Sequence, residues 1–279
     1  MSSLTLTNIV QNIDSLPPLS DVANLVNSIY TSNSDDGNMS KLIRIIESDA
    51  ILTANILKMI NSPYYGFSKR INSISQAVML FGTHKIYALV INYSMQESIK
   101  ANTDIYGFNS IQFNEMCHLQ SALIMQWYAK VNMRDAQFLA PLVLMMESGK
   151  LILANEVVKS DYSDMFRKSF IECENIEDLE KELIENTSYY ISALLFEHWN
   201  LEPIYVEILK ELDFQNDCNR DIQEFKEIIK VIRTAINLKE ILTEESIKKA
   251  SRIVWGMNLS VDDFQKVANR IREAYINAS

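Results

Sequence analysis

Glycine and proline are rare in this chain, and their rarity limits the folds that it can adopt. Six glycines and five prolines occur among 279 residues, whereas glycine alone ordinarily makes up about 7% of a protein. Folds rich in β-strands need many turns, and turns recruit these two residue types. Because 48% of the residues are hydrophobic, the chain can also bury a large core. The sequence therefore predicts an all-α protein.

Apolar residues recur at helical spacing along most of the chain. Val22, Val26 and Ile29 follow a possible N-cap at Ser20 with the i, i+4, i+7 spacing of an amphipathic helix. Asp135 is expected to cap a helix that runs without a break through the apolar stretch 138–146 and on to Val157. A helix that is apolar on all sides belongs in the middle of a core.

The stretch from Glu172 to Glu185 is strongly acidic, with seven carboxylates against one lysine. Charged residues are seldom buried. We interpret this stretch as a helix with a solvated, charged face.

The net charge and the cysteines exclude several classes of protein. Thirty-six acidic residues oppose 26 basic ones, for a formal charge of −10, and nucleic-acid binding depends on Lys and Arg that neutralise phosphates. We therefore expect no nucleic-acid partner. Cys117, Cys173 and Cys218 lie far apart without a CxxC spacing, which favours reduced thiols over disulfides or a zinc site.

The first residues lack the basic and apolar regions of a signal peptide. The longest apolar run, Phe138–Met146, is too short for a membrane span. The sequence predicts a cytoplasmic protein without membrane insertion.

A loop rich in turn formers and aromatic residues is the best candidate for a partner or ligand surface. It runs from Asn61 to Phe67 and is followed by a basic pair, and Tyr and Arg are enriched at interface hot spots. The alternative is a buried lock between two lobes. The residues proposed for the surface are Asn61, Ser62, Tyr64, Tyr65, Lys69 and Arg70.

Three sequence blocks occur in a specific order: residues 16–20 (LPPLS), 51–66 (ILTANILKMINSPYYG) and 71–82 (INSISQAVMLFG). A later block reads Trp199-Asn-Leu201. This succession resembles the HDOD family, the HD-related output domains of bacterial signalling proteins. The resemblance covers about Leu16 to Phe214.

The resemblance implies a multi-helical, HD-domain-like bundle of two lobes. On this basis an HDOD domain would occupy residues 1–214, with an N-terminal helical lobe at about 1–105 and an HD-like lobe at about 110–214. Residues 215–279 are read from the helical pattern as a C-terminal extension packed on the domain.

The resemblance also locates the metal site of the related HD phosphohydrolases, which use His and Asp ligands to activate water. The corresponding positions here are His118, Met146, Glu147 and Asp213. A Met thioether is a poor ligand for hard divalent ions, and Met146 stands where a histidine would accompany His118. We expect no metal, no cofactor and no catalytic residue.

The function that follows is a non-catalytic, regulatory module of bacterial signal transduction, which acts through an unidentified signalling protein or a small ligand. Two alternatives remain open. One is a residual metal-dependent phosphohydrolase that uses His118, Glu147 and Asp213. The other is a purely structural helical scaffold.

Overall fold

The fold is all-α, as the sequence predicts. The computed structural model describes residues 5–31, 38–67, 69–213 and 219–277, and within these ranges it contains no β-strand, only an isolated bridge between Ile236 and Ile241. The residues Phe214 and Cys218 lie outside the described part of the chain. Cys117 and Cys173 are free thiols.

The helices follow the chain in this order: α1 (Leu6–Asp14), α2 (Asp21–Thr31), α3 (Asn38–Glu47), α4 (Ala50–Ile60), α5 (Ile74–Ile99), α6 (Ser110–Trp127), α7 (Met133–Met145), α8 (Ser148–Lys159), α9 (Ser163–Glu172), α10 (Ile176–Ile184), α11 (Ser188–His198), α12 (Pro203–Asp213), α13 (Arg220–Ala235), α14 (Glu244–Gly256) and α15 (Val261–Ile276). Short 3-10 turns occur at Pro63–Tyr65, Asp104–Tyr106 and Tyr128–Lys130. Helix α5 is interrupted at Gly82, whose φ of +78° is a conformation that glycine adopts without strain.

The chain forms two compact units, each assembled from separate stretches. The first unit comprises Met1–Leu19, Met95–Glu115 and Met145–Lys226, and the second comprises Ser20–Ser94, Met116–Leu144 and Glu227–Ser279. The C-terminal helices therefore belong mostly to the second unit.

The core of the first unit is built on a close approach of α8 to α11. A Cβ added at Gly149 would lie 1.9 Å from the backbone oxygen of Ser188 and 2.7 Å from the backbone nitrogen of Ser192. Only a residue without a side chain permits this packing. Because Gly149 has no Cβ, α8 can approach α11 closely, and the next residue, Lys150, is brought against α11.

In the second unit the C-terminal helices pack on α6. The rings of Trp127 and Phe264 meet edge to face at 5.1 Å. The side chain of Gln120 donates a hydrogen bond to the carbonyl of Ile236 at 3.0 Å. These contacts combine apolar burial with the satisfaction of a buried backbone carbonyl.

The prediction of one unbroken helix through residues 135–157 was wrong at two residues. Met146 and Glu147 form a turn between α7 and α8. The hydroxyl of Ser192 donates to the Met146 carbonyl at 2.7 Å and accepts from the Gly149 N–H at 2.8 Å. A side chain from α11 thus replaces the intrahelical bonds. The cap of α7 is also not Asp135 but Asn132, whose side chain accepts from the Asp135 N–H.

Two stretches, Ile74–Ile99 and Met133–Lys159, are long and apolar enough to span a membrane by length and composition alone. In the most apolar part of each, 56% and 89% of the residues are buried within the protein. Buried apolar helices of this kind are also the core helices of soluble proteins.

Candidate functional site

The turn between α7 and α8 holds two of the HD-type positions. Met146 is buried and offers only a thioether. The carboxylate of Glu147 is also buried, and its Oε2 lies 2.8 Å from Nζ of Lys150, one helical turn further on. The charge at the predicted His-Asp position is therefore neutralised by a lysine of the same chain.

The ammonium of Lys150 has oxygen neighbours on three residues. Besides Glu147, its Nζ donates to Oγ of Ser188 at 2.7 Å and lies 3.5 Å from Oε1 of Glu180. The ring of Tyr189 faces the same ammonium at 4.8 Å. Burial by itself lowers the pKa of Lys150, but the carboxylates of Glu147 and Glu180 outweigh it and hold the pKa well above its usual value. The lysine is charged at every physiological pH.

Five of the seven carboxylates in the acidic stretch 172–185 are exposed, as the interpretation of a solvated face predicts, and Glu180 is the exception. Its side chain is completely buried, and Oε2 accepts hydrogen bonds from the N–H and the hydroxyl of Ser188 at 2.7 and 2.8 Å. Burial raises the pKa of Glu180, and the charge of Lys150 together with the two bonds from Ser188 offsets only part of that rise. The Glu147–Lys150–Glu180 triad (the first-unit triad below) is thus a buried ionic network.

Asp213, the last HD-type position, serves the backbone of the same unit. Its Oδ1 accepts from the N–H of Thr187, the N-cap residue of α11, at 2.8 Å, and its carbonyl accepts from Lys181 at 3.1 Å. The carboxylate is buried and engaged in fixing the start of a helix.

His118 lies on α6 in the second unit, where its imidazole is buried. Its Nδ1 is 2.8 Å from the hydroxyl of Tyr65, whereas Nε2 has no hydrogen-bond partner among the described residues. Burial, and after it the charge of Lys85, lowers the pKa of His118 to about 3. The imidazole is therefore neutral at physiological pH.

Lys85, on α5, is a second buried lysine with different neighbours. Its Nζ donates to the hydroxyl of Ser121 at 2.5 Å, and Ser121 in turn donates to the carbonyl of Ala140 at 2.8 Å. The ring of Tyr65 lies 5.1 Å from the nitrogen. None of the described carboxylates forms an ion pair with Lys85, and burial lowers its pKa to about 7.

These residues do not fit the metal that HD phosphohydrolases hold. Such a site needs several His and carboxylate ligands on facing helices, and no group of three or more His, Cys, Asp or Glu in the described ranges could hold a metal ion. Met146 lacks a hard donor, and Glu147 is already paired with Lys150.

Three of the residues proposed for a partner surface have structural contacts. The amide of Asn61 donates to the Ile71 carbonyl and accepts from the Ile71 N–H, both at 2.8 Å, which joins the two ends of the loop. Tyr64 is buried, and its carbonyl accepts from Gln126 at 2.7 Å. The hydroxyl of Tyr65 is bound to His118.

The other three face outward to different degrees. Ser62 is half-buried, and Lys69 and Arg70 are exposed. The basic pair lines an open groove of about 690 Å³ beside α4, together with Lys58, Leu57 and Phe67.

Sequence reasoning missed Lys85, Lys150 and Glu180. For Glu180 a signal was present, because it lies four residues after Ile176 and four before Ile184, on the buried apolar side of α10. Lys150 lies three residues after Glu147, a spacing at which side chains on a helical surface meet. No comparable local signal marks Lys85, whose neighbours Ser121 and Tyr65 are distant in sequence.

The first and the last of the sequence blocks quoted above meet inside the first unit. The indole Nε1 of Trp199 donates to the Pro17 carbonyl at 3.1 Å, and Nε2 of His198 lies 3.3 Å from the Leu16 carbonyl. The sequence model of the HDOD domain matches residues 16–213, about two-thirds of the chain. The chain belongs to the HDOD family.

Solved structures share the HDOD fold. A candidate phosphohydrolase from Shewanella amazonensis SB2B is 18% identical, with a TM-score of 0.69 over 97% of this chain and 98% of that one. An HDOD domain protein of unknown function from Geobacter sulfurreducens is 13% identical, with a TM-score of 0.60 over 97% and 95%. A candidate signal transduction protein from Marinobacter aquaeolei VT8 is 15% identical, with a TM-score of 0.65 over 100% of this chain and 61% of that one. No curated protein sequence matches significantly.

Proposed function

We propose that this HDOD protein is a non-catalytic regulatory module of bacterial signal transduction that acts in the cytoplasm by binding a partner protein. The observation that carries the proposal is the pairing of Glu147 with Lys150. The carboxylate at the His-Asp position has a permanent cation 2.8 Å away, so the charge that would attract a metal is already compensated.

The HD-type residues have roles that stabilise the protein. Asp213 bonds the N-cap residue of α11, and His118 bonds Tyr65. The His118 pKa of about 3 means that this imidazole is not protonated near neutral pH, so it does not act as a general acid there. These contacts support a structural role, and not a catalytic one, for the residues at the HD-type positions.

The family and its structural relatives support a regulatory role in coarse terms. The relative from Marinobacter aquaeolei VT8 is described as a candidate signal transduction protein. The relative from Shewanella amazonensis SB2B is described as a candidate phosphohydrolase, which makes hydrolysis the activity to be tested first.

The test is a combined measurement of metal content and hydrolysis on the full chain. The purified protein is analysed by inductively coupled plasma mass spectrometry. It is then incubated with Mg²⁺ or Mn²⁺ and cyclic dinucleotides, cyclic mononucleotides or nucleoside triphosphates. We expect no stoichiometric metal and no turnover above that of the buffer.

Turnover that requires a metal and disappears in both His118→Ala and His118→Asn would contradict the proposal. The Asn variant keeps a polar side chain in the buried position, and circular dichroism checks that both variants fold. The matched control is His84→Asn, because His84 lies at the edge of the Tyr30 ring and not at an HD-type position.

A further inference from the structure

The groove beside α4 is basic in a protein that is otherwise acidic. Lys58, Lys69 and Arg70 line it and are all exposed, and no carboxylate lines it. None of the described residues forms an ion pair with these three cations. Since the chain carries a formal charge of −10, the groove is a local positive region that complements an anionic partner.

The same groove is partly apolar. Leu57 lines it, and so does Phe67, which remains 42% exposed although its ring packs on Phe81. On α4, Ala54 and Ile51 lie one and two turns before Lys58, and Ile51 is 70% exposed. Residues three and four apart share a face of a helix, so an apolar stripe leads along α4 into the basic groove.

The groove is held in shape by contacts within the second unit. The two hydrogen bonds between Asn61 and Ile71 close the loop. Gln126 donates to the Tyr64 carbonyl and accepts from Arg270 of α15 at 2.7 Å. A preformed surface loses less conformational entropy when it binds.

We propose that this groove docks an acidic, amphipathic segment of the partner protein. Apolar side chains of the segment would lie on Leu57 and Phe67, and its carboxylates would meet Lys58, Lys69 and Arg70. The inference rests on the proposed function, in which the chain acts by binding a protein. A small phosphorylated ligand fits less well, because such ligands bury most of their surface in an enclosed pocket, whereas this groove is open and its cations are all exposed.

The experiment uses the full chain and a synthetic probe, a fluorescein-labelled helical peptide of about 15 residues with Leu and Glu at amphipathic spacing. A second peptide carries Gln in place of every Glu. Fluorescence anisotropy is measured at low and at high salt. We expect binding of the Glu peptide that weakens with salt, and at least about tenfold weaker binding of the Gln peptide.

The decisive variant is K69E/R70E, and the chain offers a matched control. Arg167 and Lys168 form another adjacent, exposed basic pair on α9, without an ion pair among the described residues. R167E/K168E therefore makes the same change in net charge at a different place. We expect K69E/R70E to weaken binding about tenfold or more and the control to stay within about twofold. Phe67→Ser tests the apolar part, with an expected loss of about threefold or more.

Several results would overturn the inference. Equal losses in the two double variants would show an effect of net charge alone. Unchanged binding in K69E/R70E would exclude the groove. ATP or pyrophosphate that binds more tightly than the peptide and depends on Lys69 and Arg70 would assign the groove to a phosphorylated small molecule. Self-association in sedimentation that K69E/R70E abolishes would assign it to a second copy of the chain.

The proposed non-catalytic role and the proposed docking of an acidic segment can be contradicted independently of each other. Metal-dependent turnover contradicts the non-catalytic role whether or not the peptide binds. Failure of the Glu peptide to bind, with no turnover, contradicts only the acidic segment. Thermal unfolding of each variant, monitored by circular dichroism, shows whether the fold is intact.

Discussion

Each of the two units buries a lysine, and the pKa values of the two lysines are shifted in opposite directions. Lys150 in the first unit lies between Glu147 and Glu180, which raise its pKa well above the usual value. Lys85 in the second unit has a serine hydroxyl and an aromatic ring as neighbours, and its pKa falls to about 7. Both lysines are buried, and burial by itself lowers the pKa of each. The difference teaches that the carboxylates decide whether a buried amine remains charged.

The same comparison describes the charge balance at the HD-type position Glu147. In the first-unit triad a single ammonium faces two carboxylates, so the lysine supplies the positive charge that the carboxylates need. In the second unit none of the described carboxylates pairs with the amine, and the pKa values of Lys85 and of the nearby His118 are both lowered.

Lys150→Met is expected to have the largest effect. The side chains have similar volumes, but the variant leaves Glu147 and Glu180 buried without a cation. Breaking a buried ion pair on one side costs about 3–5 kcal/mol. Urea unfolding at pH 7 measures the loss. Lys159→Met, at an exposed ion pair with Glu156, is the control and should change stability by no more than about 0.5 kcal/mol. A loss below that of the control would disprove the role of the triad.

Gly149→Ala is expected to cause the next largest loss of stability, because it disrupts the packing that places Lys150 against α11. The new methyl group would overlap the Ser188 carbonyl, so α8 and α11 must move apart at a cost of about 1–3 kcal/mol or more. Gly256→Ala is the matched control, since no atom lies within 4 Å of the added Cβ. Equal midpoints of urea unfolding for the two variants would refute the close approach.

Lys85→Met is expected to give a smaller effect whose sign depends on pH. The folded-state pKa of about 7 lies below the usual lysine value of 10.5, so between these values the unfolded state binds more protons. The contribution of Lys85 therefore becomes less favourable as pH falls from about 10.5 to 7, by at most about 1.4 kcal/mol per pH unit. Ser121 keeps its own bond to Ala140 in the variant.

Urea unfolding of the wild type and Lys85→Met at pH 6, 7, 8 and 9 tests this difference. The variant should gain stability relative to the wild type as pH falls from 9 to 7, and the gap should level off below pH 7. A gap that stays constant across the series would mean that Lys85 remains charged in the folded protein. The same series with Lys159→Met, a substitution of an exposed lysine, controls for the loss of a surface charge.

The sequence predicted the helical class, and a local signal predicted the start of α2. The hydroxyl of Ser20 accepts from the N–H of Ala23, as expected of an N-cap. Local chemistry determines such ends, so short sequence windows contain the information. The break at Met146 and Glu147 could not be predicted in this way, because it depends on the hydroxyl of Ser192, more than 40 residues away.

The candidate site was predictable only in part. The absence of a His-Asp pair is visible in the residue types at positions 146 and 147. The exposure of Lys69 and Arg70 follows from their charge. The burial of Glu180 was not predicted, because the charge of the stretch favours solvent exposure. The position of Glu180 on the apolar side of α10 indicates the opposite. The low pKa of Lys85 depends on its burial among residues that are distant in the chain, and such neighbours cannot be identified from a single sequence.

Tyr65→Phe is expected to have the smallest effect, and it separates the two contacts that the tyrosine makes. The ring that faces Lys85 remains, whereas the hydroxyl that bonds Nδ1 of His118 is lost. Loss of one buried hydrogen bond costs about 1–2 kcal/mol in urea unfolding. The pH dependence attributed to Lys85 should persist, since the ring and Ser121 are unchanged. Tyr162→Phe, at a partly exposed hydroxyl, controls for the substitution. If Tyr65→Phe also flattened the pH series, the Tyr65 hydroxyl would contribute to the low pKa of Lys85, and the contrast with Lys150 would not rest on carboxylates alone.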